Sequence, residues 1–323
     1  MKSVLAYTIL LVASLGLAYQ TWTRGDTVLS PGSLTLWTVD MDKISSIVYE
    51  AADKRVAIER REDEGPYLWG SVTRSVLGDS VSAANDTTTE FLVGQGADGL
   101  LALLAAPRIL RNLGMLNAER EEEYGLDGSL ESLVVQADRE THELLLGTTV
   151  FGTNDRYVRD AASGRAYVLQ GAALGSLVSA EQVYSETRLH AFTLDAVAAV
   201  TVRTERGERT MNKSSTGSSG SPSWTPTDAP FGRPDQTFAN FMERLGQLWV
   251  SRYEPSIDRG ALREVARIEY VDAAGNSLGH TELLLSDGDG EPVYYLATEH
   301  TRVPITLVSG AAERLDQDLA QLL

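Results

Sequence analysis

The chain has 323 residues, with 28 Lys and Arg against 45 Asp and Glu and a formal net charge of −17. That balance argues against non-specific nucleic-acid binding and against a polybasic membrane patch, both of which need clustered Lys and Arg, so no nucleic-acid partner is expected. The absence of Cys excludes a disulfide framework, a thiolate zinc site and a cysteine nucleophile, and the length suits about two domains at roughly 100–200 residues each.

The first predicted element is an uncharged run from Val4 to Trp22, preceded by Lys2. About 19 residues at roughly 1.5 Å each reach about 28 Å, close to the hydrocarbon thickness of a bilayer. Val4, Leu5, Ile9, Leu10, Leu11, Val12, Leu15 and Leu17 leave the segment without a polar face. Tyr19 and Trp22 fall where an interfacial aromatic belt belongs. The expectation is a transmembrane signal anchor over residues 1–23, with its N-terminus in the cytoplasm, followed by a linker and lead-in over 24–43. A cleavable signal peptide is the competing reading, with Gly16 and Ala18 as the small residues before a cut. Both readings export the remainder of the chain.

From residue 44 the pattern alternates short strands with occasional helices. Ile44–Glu50 and Val56–Arg60 predict a hairpin around Asp53 and Lys54, and Pro66–Trp69 a short strand. A polar loop, an apolar helix from Asp98 to Ala106, a strand from Arg108 to Met115 and an acidic turn at Glu119–Tyr124 follow. Four strands come next, at Leu133–Ala137, His142–Gly147, Arg156–Asp160 and Arg165–Leu169, with a closing helix over Gly171–Val178. The same order then recurs. Val197–Arg203 and Glu208–Asn212 restate the hairpin, Trp224 restates Trp69, and Phe238–Leu245 restates the helix. Leu248–Tyr253, Ile268–Val271, His280–Leu285, Val293–Ala297 and Arg302–Leu307 restate the later strands, and Ser309–Leu322 the closing helix. Glu143-Leu144-Leu145-Leu146 against Glu282-Leu283-Leu284-Leu285 anchors the alignment. The expected fold class is therefore α+β: two related units of antiparallel sheet with packing helices, at 44–190 and 191–323, preceded by one transmembrane helix. Ser214–Ser221 is expected to be a loop inside the second unit.

Tyr124-Gly125-Leu126-Asp127, after a strand pair, a Trp strand and a helix and before a strand-rich segment with Gly147 and Tyr157-Val158, resembles the domain of unknown function 4340 family. The second unit departs from that motif, with Ile257-Asp258-Arg259-Gly260 in its place. The resemblance implies a bacterial inner-membrane protein with one N-terminal membrane segment and an exported α+β body in the periplasm. It also implies an integral membrane partner, an ABC-type permease, as in export systems such as those associated with gliding motility. The family assigns no catalytic residues.

Other motifs carry less chemistry. Gly94-Gln95-Gly96-Ala97-Asp98-Gly99 fits a dinucleotide fingerprint locally, but hairpins follow it where a parallel βαβ repeat is needed. Asp287-Gly288-Asp289-Gly290-Glu291 has the oxygen density of a calcium loop, and equally that of a hairpin turn. His142 and His280 sit at similar places in the two units and are expected on solvent faces of strands. His190 and His300 lack metal-ligand spacing, and Trp69, Trp224, Trp249 and Tyr124 are expected in the core. No catalytic, metal or cofactor residue is assigned. The expected function is a non-enzymatic accessory or interaction subunit of an envelope complex, held to the lipid bilayer by its first helix. The alternative is an exported module that binds an envelope polymer or glycan.

Overall fold

The computed structural model describes residues 34–63, 65–75, 86–214, 222–229, 233–286, 292–308 and 310–322. The predicted anchor at 1–23, the serine-rich stretch at 215–221 and the acidic turn at 287–291 lie outside these residues. Among the described residues no helix is long and apolar enough to cross a membrane. The fold is α+β, with antiparallel sheets and few helices. By contacts the chain forms two compact units: the described residues up to Ile44 with Leu100–Gly175, and Ser45–Gly99 with Ser176–Leu323.

In the first unit the strands β5 (Ile109–Gly114), β6 (Ser132–Ala137), β7 (Glu140–Thr149), β8 (Arg156–Asp160) and β9 (Ala166–Leu169) run in the order β6-β7-β8-β9-β5. All neighbours are antiparallel. Alternation puts Leu133, Val135 and Ala137 of β6 and Leu144 and Leu146 of β7 on the buried face. Helix α1 (Ala97–Ala105) enters this unit at Leu100, and Leu100, Leu101 and Leu104 are buried. The Trp37 indole donates to the carbonyl of Leu104 at 2.8 Å.

The short helix α2 (Ala118–Glu123) explains the Tyr124–Asp127 motif physically. Asn117 caps its start by accepting the N–H of Arg120 at 3.1 Å. Its end is a Schellman closure: Gly125, at φ +65°, donates to Glu122, and Leu126 donates to Glu121 at 2.8 Å. The reversal drops Leu126 into the core, fully buried. Tyr124 stacks on Tyr157 at 4.2 Å, and its carbonyl accepts the N–H of Thr148 at 2.8 Å. Gly147 allows that approach, because a Cβ there would run into the Tyr124 carbonyl oxygen. Arg159 of β8 ties back to Glu121 at 2.8 Å.

The second unit holds β1 (Ile44–Ala51, all but its first residue), β2 (Lys54–Arg61), β3 (Tyr67–Arg74) and β4 (Thr87–Leu92), ordered β4-β3-β2-β1. It also holds β10 (Ala199–Thr204), β11 (Gly207–Ser214), β12 (Ser223–Pro226), β13 (Arg252–Tyr253), β14 (Arg263–Val271), β15 (Ser277–Ser286), β16 (Val293–Thr298) and β17 (Ile305–Thr306). These run in the order β12-β11-β10-β14-β15-β16-β17-β13. After α3 (Ala172–Val178) and α4 (Ala180–Tyr184), two amphipathic helices cover apolar surface: α5 (Gln236–Leu245) and α6 (Ala311–Leu322). Asp235 caps α5 by accepting from Phe238 at 2.9 Å and is itself held by Arg209 at 2.7 Å. α5 buries Phe238, Phe241, Met242 and Leu245, each side chain stabilising by about 1.5–3 kcal/mol; α6 buries Ala312, Leu315, Leu319 and Leu322.

The element order β1-β2-β3-β4, helix, β5, then β6 to β9 is followed by β10-β11-β12, helix, β13, then β14 to β17, in which β4 has no counterpart. Inside their own units, β6-β7-β8-β9-β5 and β14-β15-β16-β17-β13 have the same neighbour order. Three expectations are corrected. The polar loop before α1 contains a strand, β4, because Thr87-Thr88-Thr89 is β-branched and pairs fully with β3. Trp249 is 57% exposed, since β13 is only two residues long and the segment before it is irregular. His142 and His280 are only partly exposed: the Nε2 atoms of both rings are buried, and His142 stacks on Trp37 at 4.4 Å.

Candidate functional site

The site grows from the end of β4. Val93 donates to Leu68 of the β3 side at 3.0 Å, while Gly94 donates to the carbonyl of Tyr184 at 2.8 Å. Glu186 donates to the carbonyl of Leu92 at 2.8 Å, so Ser185 lies antiparallel to Val93 as a short strap along β4. On its other side the strap meets the β13 segment, where Val250 donates to Thr187 at 2.9 Å. Beyond Thr187 the chain departs. A groove of about 840 Å³ opens there, with the Thr87–Phe91 edge and the Val250–Ser256 segment in its walls, and Glu181, Gln182, Ser185 and Thr187 also lining it. That volume lies in the range of ligand-binding clefts.

The lining is hydroxyl-rich and net acidic. Its carboxylates are Glu90, Glu181 and Glu254, and its guanidinium is Arg252. Glu90 accepts from the Trp69 indole at 2.7 Å, Glu181 pairs with Arg74 at 2.7 Å, and Arg252 stands 3.9 Å from Glu254. The aromatic rings of the lining, Phe91 and Tyr253, are buried. They offer no open face on which a sugar could stack.

A buried polar network supports the strap. Burial pushes the Glu186 carboxyl up, but Arg188 answers with its guanidinium and backbone N–H, the shortest bond being 2.6 Å. His300 adds a further contact, and the net result is a carboxyl held down at about 2. The Glu186 carbonyl accepts the Tyr253 hydroxyl at 2.8 Å, and burial pushes that phenol up, with the Glu186 charge adding to it. Tyr253 also meets Trp69 edge-on at 5.8 Å, so one phenol braces both the strap and β3.

A second network lies among β14, β15 and β16. His190 Nδ1 donates to Glu299 at 3.0 Å, and its Nε2 lies 3.2 Å from the Thr281 hydroxyl, which in turn meets the Tyr270 hydroxyl at 2.9 Å. Glu299 also accepts the His280 N–H at 3.0 Å. Gly279, at φ +153°, leaves room for that carboxylate. Burial raises the Glu299 carboxyl and His190 lowers it, with a net lowering. Buried Glu282 is clamped by Arg259 and Arg267, while burial and Arg267 hold the His280 imidazole below its usual range. Glu299 is held in its charged form by N–H donors and Glu282 sits between two guanidinium groups, an arrangement that suits a structural brace. Among the described residues no group of three His, Asp or Glu is placed to hold a metal ion.

Of the residues named from the sequence, Tyr124, Gly125, Leu126 and Asp127 are absent from the groove lining and form the closure of α2. The glycine-rich Gly94–Gly99 segment serves as the turn from β4 into α1 and as the anchor of the strap. β4 is antiparallel to β3, so the parallel βαβ frame of a dinucleotide site is absent at this position. Sequence reasoning missed Thr87–Glu90 and the Glu186–Arg188 pair. The β-branched run before Phe91 was a usable signal for the former; nothing local marks the latter.

Residues 104–264 match a family described as Domain of unknown function (DUF4340). No curated protein and no solved structure matches the chain.

Proposed function

Residues 104–264 of this chain belong to the Domain of unknown function (DUF4340) family, and from that premise we propose that the protein is a non-enzymatic accessory subunit of an envelope complex, an ABC-type transporter. Residues 1–23 anchor it in the bacterial inner membrane as a single pass, and the bulk of the chain works in the periplasm. The observation that carries this reading is the groove beside β4: a polar cleft bounded by strand backbone and braced by ion pairs. Such a surface suits docking of another polypeptide. The brace of Glu186, Arg188 and Tyr253 gives it the rigidity that recognition requires.

A second reading, binding of an envelope polymer or glycan, is supported by the groove's volume and hydroxyl-rich lining. The burial of Phe91 and Tyr253 favours the polypeptide. Mild crosslinking in cells, followed by purification in several detergents, is expected to recover an ABC permease with this chain. A lone monomer in every detergent, together with saturable glycan binding in a thermal-shift titration, would replace the first reading by the second.

A further inference from the structure

Sheet edges expose unpaired N–H and C=O groups, and proteins guard them with short strands, bulges, Pro or Lys. Three edge strands here are guarded. β13 has two residues, β12 has four and ends in Pro226, and β5 carries two register shifts against β9. β4 is different. It is six residues long, pairs without a shift from Thr87 to Leu92 on its β3 side, and contains neither Pro nor Lys.

The direction of its free backbone groups follows from alternation. The Leu92 carbonyl faces the strap, whereas the Val93 N–H faces β3. With a period of two, the N–H and C=O groups of Glu90 and Thr88 point to the same side as Leu92, into the groove. Among the described residues, no strand pairs with that side of β4. The strap shows what such a lane accepts, since Ser185–Thr187 already lies there as an extended segment bonded to the β4 side through Glu186 and to Val250 on the other. The groove continues the same lane for four residues, Thr87–Glu90, about 13 Å of strand.

We propose that this lane receives an extended, basic segment of a partner protein, which adds to β4 as a further strand in line with Ser185–Thr187. Main-chain bonds to Thr88 and Glu90 supply the attachment. Charge selects the occupant: the carboxylates Glu90, Glu181 and Glu254 outnumber by one the guanidinium groups beside them, Arg252 and the Arg74 that pairs with Glu181, so a Lys or Arg side chain complements the walls. This deepens the accessory-subunit reading and rests on it for the identity of the partner.

The test uses the full chain in detergent and two acetylated, amidated hexapeptides, alternating Lys with Val and Glu with Val. The Lys peptide is expected to bind at least tenfold more tightly than the Glu peptide and to slow amide hydrogen exchange at Thr88 and Glu90. Thr88→Pro removes an N–H aimed at the groove, leaves the β3 ladder its bonds, and should weaken the Lys peptide at least tenfold. Glu254→Gln, which leaves the backbone untouched, should weaken it two- to fivefold. Equal affinity for the two peptides, or unchanged exchange at Thr88 and Glu90 on saturation, overturns the proposal. Crosslinking separates it from the broader reading. If the native chain and Thr88→Pro both recover an ABC permease, strand addition is overturned and the accessory role stands. If the native chain recovers none while the Lys peptide still protects Thr88 and Glu90, strand addition is supported and the transporter partner is overturned.

Discussion

Glu186 is a carboxylate that burial opposes and Arg188 secures, and the balance has a consequence for acid stability. The folded carboxyl titrates at about 2, against 4.5 for the unperturbed group. Above pH 4.5 both states are ionised and the contribution to stability is fully present. Between 4.5 and 2 the unfolded chain takes up a proton that the folded chain declines, so the contribution drains away as pH falls. Its size is on the order of 3 kcal/mol, at about 1.4 kcal/mol for each tenfold difference in proton affinity between the two states. Glu186→Gln is therefore expected to lower the unfolding free energy by about 1–3 kcal/mol at pH 7, and to lose that deficit near pH 2. Denaturant melts at several pH values measure it, and a deficit independent of pH would refute the ionic account. None of this was legible in the sequence, because Glu186 and Arg188 stand two apart in an irregular segment where no periodicity marks a pair. His142 and His280 teach the same lesson: strand alternation put them in solvent, but the Nε2 atom of each ring is buried.

Most elements were legible where local chemistry and the buried face agree. The β1–β2 hairpin, β6 to β9 and the amphipathic α5 and α6 all carry their apolar residues at the period their structure needs. β4 was missed because Thr87–Thr89 reads as polar, and its pairing with β3 rather than its hydropathy makes it a strand. α2 shows how a motif becomes an element end. Gly125 sits at φ +65° with the Thr148 methyl 2.7 Å from where a Cβ would stand. Gly125→Ala is expected to cost about 1–2 kcal/mol from the left-handed backbone alone, plus the clash. Leu126→Ala, deleting a fully buried side chain, is expected to cost about 2–5 kcal/mol. Chemical denaturation of the two variants measures both, and a negligible loss in Leu126→Ala would contradict the packing described for the closure.

At the scale of the whole molecule, the expected behaviour combines a membrane anchor with an acidic body, in a chain of net charge −17. The intact chain should sediment with membranes and resist carbonate extraction, and the same chain without residues 1–22 should remain in the supernatant. Release of the intact chain by carbonate would rule out the anchor. The α+β class and a resemblance to the family that residues 104–264 match could be read from the amino acids alone. Hydrophobic period and turn chemistry act over a few residues and survive in the order of the chain. The tertiary structure alone decided the groove, because its walls come from stretches near 90, 185 and 252 that no local rule brings together. It also decided that the side of β4 left unpaired by any strand among the described residues faces that groove, since the direction of a strand's N–H and C=O groups is set by the neighbour it pairs with.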